Sequence, residues 1–147
     1  MKKYSLIIII SLVFSCKGKT ENNNIVYLSP DCGCCHDWVI HMEKNDFPLE
    51  KNMDSNMYDI KVNAGLPIDL ASCHTAMING YFVEGHVPAG DVKRLIKENP
   101  NNIIGLTVPG MPAGINVPGM EVSDEKANFD VLAIDSNGKS SIWSNYE

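Results

Sequence analysis

Residues 24–46 read "NIVYLSPDCGCCHDWVIHMEKND". The first seven form a β-branched and aromatic run closed by a Ser-Pro pair, the pattern of a short strand entering a turn. From Cys32 onward the periodicity changes to that of a helix, with Cys35, Val39 and Met42 on one face and Trp38 beside them. A C-x-x-C pair, Cys32 and Cys35, therefore sits where the strand gives way to the helix. Cys34 is a third thiol between them.

Working outward, "FPLEKNMD" (47–54) reads as a second strand and "SNMYDIKVNAG" (55–65) as a weaker helix ending at Gly65. "LPIDLASCH" (66–74) reads as a loop. "TAMINGYFVEG" (75–85) is two β-runs joined by Asn-Gly, which suits a type I′ hairpin turn. "VPAGDVKRLIKENP" (87–100) is a helix with Val92, Leu95 and Ile96 apolar and Pro100 as its stop. A Gly/Pro-rich loop is expected over 105–120, and "FDVLAIDSNGKSSIWSN" (129–145) reads as a closing hairpin. The order β-α-β-α-β-β-α predicts an α/β (α+β) fold. It is that of a single thioredoxin-like domain over 25–147, with a mixed sheet, flanking helices and an added C-terminal hairpin.

The N-terminal "MKKYSLIIIISLVFS" (1–15) has the form of a signal peptide. Lys2 and Lys3 precede an apolar stretch, Leu6 to Phe14, that is short for a membrane span. The step from Ser15 to Cys16 resembles a bacterial lipobox, in which cleavage leaves a lipidated cysteine. Residues 16–24 then form a polar tether. This predicts a lipoprotein of the bacterial cell envelope on the periplasmic face, held to the membrane only by its lipid anchor at Cys16. An acidic balance, 18 Asp and Glu against 12 Lys and Arg, offers no basic patch for nucleic acid.

With Cys16 set aside, Cys32, Cys34, Cys35 and Cys73 remain. Exported cysteines usually form disulfides, but a Cys32–Cys35 bridge would close a very small loop and stabilise little. The group reads as chemical rather than structural. With Cys32 near the N-cap, Cys34 and Cys35 fall in the first turn, where orphan N–H groups and the positive dipole end favour thiolates. Cys34 lies about 100° round the helix from Cys35, and Gly33 permits a tight turn. In a thioredoxin-like fold the loop entering the third strand packs against this helix start, and here it carries Cys73 and His74. Thiolates select Cu(I), zinc or iron–sulfur clusters. C-x-C-C is an unusual zinc spacing, and "VPGM" occurs twice, at 108–111 and 117–120. Met111 and Met120 thus lie in equivalent turns, and thioethers suit Cu(I) better than zinc. Copper leads, as a multinuclear site; zinc is the weaker choice.

"CGCC" (32–35), "SCHTAMINGYFVEGHVPAGDVKRLI" (72–96), "GLTVPGMPAG" (105–114) and "PGME" (118–121) together resemble the CopG-like periplasmic metal-binding proteins, a family linked to copper resistance. The resemblance runs over about residues 25 to 143. It implies a thioredoxin-like domain, an envelope location, copper held by Cys32, Cys34, Cys35 and Cys73, and a copper-redox role between Cu(I) and Cu(II). Here "INV" precedes the second "PGM", a departure from the family pattern.

The candidate metal ligands are those four cysteines with His74, His86, Met111 and Met120. In a regular strand His74 would point away from Cys73, so joint ligation requires irregular backbone. For His86 the competing role is a partly exposed imidazole hydrogen-bonded to a carboxylate such as Glu84. His36 is expected to face elsewhere and His41 to be solvated. The other functional class is a metal-independent thiol–disulfide oxidoreductase using Cys32 and Cys35, with Cys34 or Cys73 resolving. Such enzymes usually carry a proline in the loop that here holds Cys73 and His74. The partners expected are a metal ion and other envelope copper-handling proteins.

Overall fold

The computed structural model describes residues 24–147 apart from Ser55. The leader, Cys16 and the tether up to residue 23 lie outside the described residues. The strands are β1 (Ile25–Leu28), β2 (Glu50–Met53), β3 (Thr75–Ile78), β4 (Tyr81–Glu84), β5 (Ile103–Thr107), β6 (Phe129–Asp135) and β7 (Ser140–Tyr146). The helices are α1 (Gly33–Lys44), α2 (Tyr58–Asn63) and α3 (Ala89–Glu98). They form one mixed sheet of order β2-β1-β3-β4-β5-β6-β7. β1 runs parallel to β2 and antiparallel to β3, and β3 runs antiparallel to β4. Those four strands and three helices are the expected thioredoxin-like unit.

Local chemistry accounts for the elements. Asn79 and Gly80 take φ of 54° and 87°, the pair of positive values that a type I′ turn needs. α1 buries Cys35, Trp38, Val39 and Met42, the face read from its periodicity. They pack with Val26 and Leu28 of β1, Ala76 and Ile78 of β3, Val83 of β4, and Val92 and Leu95 of α3 in one core. A smaller cluster around Leu66, Phe82 and Ile134 includes Ala64 just after α2, so successive β4 residues serve two clusters. α3 is tied to β7 by hydrogen bonds from Ser144 Oγ and Tyr146 Oη to the buried Asp91 carboxylate. No helix of the described residues is long and apolar enough to cross a membrane.

One expectation is corrected. Residues 105–107 belong to β5, not to a loop, and β5 joins the closing hairpin to the rest of the sheet. It pairs in parallel with β4 across the α3 crossover and antiparallel with β6. Gly105, placed in the expected loop, is here a packing requirement: a Cβ on it would lie 2.4 Å from the Phe82 ring opposite. Gly105→Ala is therefore expected to overpack this contact and cost about 1–3 kcal/mol, read as a lower urea midpoint with an unchanged m-value.

Candidate metal centre

Cys32 is the N-cap of α1, with extended backbone and no side-chain cap bond. Its sulfur is joined to that of Cys35 in a disulfide, while Cys34 and Cys73 are free. Cys34 Sγ lies 3.5 Å from Cys32 Sγ. Nothing comes within 4 Å of the position a Gly33 Cβ would occupy, so the missing side chain leaves this face of the turn open. The loop before β3 brings Cys73 to the helix start. The four sulfurs lie within 4.8 Å of one another, with Cys35 buried and the other three half-buried.

Cys73 belongs to a second group as well. Its sulfur is 3.7 Å from His74 Nδ1 and 3.6 Å from His86 Nε2. His74 immediately precedes β3, so strand alternation does not apply to it, and the two neighbouring side chains converge. Both imidazoles are fully buried. His86 Nδ1 donates to the Pro118 carbonyl at 2.7 Å, which leaves the Nε2 lone pair facing Cys73. His74 packs its ring 4.4 Å from that of Trp38, and its Nε2 is buried without a hydrogen-bond partner. Burial is the main cause holding both histidines below the ordinary imidazole pKa, so they present neutral nitrogens. Burial raises the Cys73 thiol, opposed by its bond from Ser72.

The competing role for His86, a carboxylate-bound imidazole at the surface, does not hold. Glu84 is fully buried and pairs with Lys61 Nζ at 2.5 Å, and His86 is buried rather than partly exposed. Lys61, Ser72 and Pro118 were not legible as site residues, and Glu84 entered only as a possible partner of His86. The one available signal was a lysine within the weak α2 pattern.

Residues 108–120 lie along this cluster and are pinned at two places. Gly110 and Gly119 take φ of 70° and 79°, and Val108 and Val117 are both buried, but the two "VPGM" stretches are not equivalent turns: the second closes with the Met120 N–H donating to the Val117 carbonyl at 2.9 Å, and the first is a bend. Ser72 Oγ donates to the Gly110 carbonyl at 2.5 Å. Gly119 rests on α1, where an added Cβ would meet Trp38 N at 2.6 Å and Cys34 O at 2.8 Å. Met111 is 61% exposed and Met120 half-buried, each following the pinned glycine of its stretch. His36, half-buried on α1, is in neither donor group.

His41 is not the solvated residue expected, because its Nε2 accepts the Ala89 N–H at 3.1 Å at the start of α3. That bond requires neutral imidazole. Burial is the main cause lowering the His41 pKa, against Glu121, which raises it. The unfolded chain thus binds the proton more readily than the folded one. Stability is full above the unfolded value of about 6.5 and is lost as pH falls through the folded value. The metal-free protein is expected to melt at a lower temperature at pH ~5 than at pH ~7.5, and His41→Ala should remove part of that difference.

A solved structure titled copper resistance protein CopG, form 2, is 38% identical to this chain with a TM-score of 0.78. The match covers 84% of this chain and 97% of that one. The chain belongs to the CopG family. Form 1 of the same protein gives 38% identity and a TM-score of 0.77, over 84% of this chain and 95% of that one. Residues 70–120 also match a family described as a protein of unknown function, DUF411. A stretch of 65 residues, 44% of the chain, is 38% identical to the phosphoenolpyruvate synthase of Pyrococcus furiosus and spans only 8% of that enzyme.

Proposed function

We propose that this is a cell-envelope copper-binding protein that sequesters Cu(I) and contributes to copper resistance. The observation that carries this reading is the convergence of four cysteine sulfurs, from two segments some forty residues apart, within 4.8 Å. The donor set fits the metal. Thiolates favour Cu(I), and imidazole suits copper in either common oxidation state. Cys32, Cys34, Cys35 and Cys73 would hold the metal, with His74 and His86 on the inner side and Met111 and Met120 at the margins. A site with thiolates and neutral imidazoles sharing Cys73 suits both Cu(I) and Cu(II), which supports a redox-cycling role. The Cys32–Cys35 bond withdraws two of the four thiolates, so full loading follows its reduction.

In this reading residues 1–15 are removed, Cys16 carries the lipid, and 16–24 tether the 25–147 domain on the periplasmic face. Asn24 accepts the Asn79 N–H through its side chain at the hairpin turn. The tether thus joins at the opposite end of β1 from Cys32. The metal end would face away from the membrane, toward other envelope copper-handling proteins.

The test is to purify the reduced domain without oxygen, load it with Cu(I) and measure metal per chain by elemental analysis. More than about one tightly held copper is expected, falling when Cys34 becomes serine. A substoichiometric content that ignores Cys34→Ser would contradict the proposal. Zinc in the protein as isolated would point to a structural metal instead.

One observation favours a second reading, a metal-independent thiol–disulfide oxidoreductase. The Cys32–Cys35 disulfide stands at a helix N-terminus with the Cys34 sulfur 3.5 Å from that of Cys32. Against it, His74 occupies the position before β3 where such enzymes usually place proline. Robust insulin reduction by the metal-free protein would favour this second reading.

A further inference from the structure

Cys73 lies in a bend and His74 immediately precedes β3, and both side chains approach the metal centre. The flanking residues show what holds them. Glu84 Oε1 accepts the Ser72 N–H at 2.6 Å, on the N-terminal side of the pair. Its Oε2 accepts the Thr75 hydroxyl at 2.6 Å, on the C-terminal side. Thr75 and Glu84 stand directly opposite in the β3–β4 ladder, so the carboxylate is in register with the segment it grips. Lys61 Nζ donates to Glu84 Oε1 at 2.5 Å and to Thr75 Oγ1 at 2.9 Å. Gly85 closes the frame, its N–H donating to the His74 carbonyl at 3.0 Å. At φ +69° it lies where a Cβ would strike Ser72.

Glu84 is fully buried and Lys61 nearly so. A buried ion pair gives little net stability over well-packed apolar residues of the same volume, because desolvation offsets the attraction. Stability alone therefore does not account for this pair, whereas the two ends of the Cys73–His74 dipeptide both depend on it. We propose that Glu84, held by Lys61, is a positioning residue of the metal centre, gripping Ser72 and Thr75 so that Cys73 and His74 converge on one metal. The proposal rests on the copper reading above, and its test has one arm that does not need copper.

The paired substitution Glu84→Leu with Lys61→Met removes both charges together and so avoids stranding either one. In a chain also carrying Cys16→Ser and Cys34→Ser, with the Cys32–Cys35 bridge intact, Cys73 is the remaining free thiol. Its alkylation by iodoacetamide is followed by mass spectrometry, with circular dichroism as the check on folding. The Leu–Met pair is expected to alkylate about tenfold faster or more, as the freed segment opens. Glu84→Gln with Lys61→Met keeps an amide oxygen for the Ser72 N–H and should give an intermediate rate. The Gln–Met pair carries the same test if the Leu–Met pair does not fold.

In the copper arm, run with Cys34 retained and the protein reduced, the Leu–Met pair should weaken Cu(I) affinity by about 10- to 100-fold against a chelator. In a Cys73→Ser background it should add less than in the unsubstituted chain, because only the His74 contribution remains to be lost, whereas a merely structural effect would add in full. Alkylation and affinity both within about twofold of the unsubstituted chain, or full additivity with Cys73→Ser, would overturn the positioning role. If the unsubstituted chain takes up no copper, the proposed function fails and the alkylation rate alone decides the role of Glu84.

Discussion

Cys73→Ser is expected to weaken copper binding more than any other single ligand substitution, to a level still measurable, while leaving the fold intact. Its sulfur is the one atom common to both donor groups, beside the helix-borne thiols on one side and the two buried imidazoles on the other. Cys34→Ser removes one sulfur from one group and leaves Cys73, His74 and His86 in place. The loss at Cys73 should exceed both that of Cys34→Ser and the about 10- to 100-fold typical of substitutions behind a metal ligand. Cys73 is only half-buried and serine is nearly isosteric, so the melting temperature of the metal-free protein should hardly move. Competition against a Cu(I) chelator separates the two variants. Equal modest losses would mean that Cys73 does not join the two groups.

The largest stability effect is expected at Trp38. Its side chain is fully buried, its Nε1 donates to the Val87 carbonyl at 2.9 Å, and its ring packs against His74. Trp38→Ala empties the space between α1 and the loop entering α3, at about 3–5 kcal/mol. Against a total stability of about 5–15 kcal/mol for a domain of this kind, that is a large fraction. Trp38→Phe keeps most of the packing and forfeits the hydrogen bond, about 1 kcal/mol. Urea unfolding distinguishes them, and only the alanine variant should also weaken copper binding, because it removes the platform under His74.

The parts of the fold that depend on local chemistry were legible in the sequence. The β1–α1 junction followed from a change of period at Cys32 and the β3–β4 hairpin from Asn79-Gly80. The convergence of Cys73 on the α1 cysteines followed from topology once the element order was read. β5 was missed because Gly105 carries no local sign that it faces the Phe82 ring. The Lys61–Glu84 pair is not legible because a lysine in a weak helix and a glutamate ending a strand, 23 residues apart, carry no pattern that joins them. His41 was misassigned for the same reason, since its partner is a backbone N–H 48 residues away. Long-range polar contacts between single atoms leave no periodicity. For the Cys32–Cys35 bond loop size is a poor guide, because the first turn of α1 brings the two sulfurs together without help from the rest of the chain.

The central claim is that sulfur from two segments, with imidazole behind it, forms one copper site. Copper X-ray absorption on the reduced, Cu(I)-loaded domain tests this most directly. The predicted spectrum has a dominant sulfur shell, a minority nitrogen shell that disappears in a His74→Ala, His86→Ala double variant, and a short copper–copper vector. A first shell of nitrogen and oxygen without sulfur would contradict it.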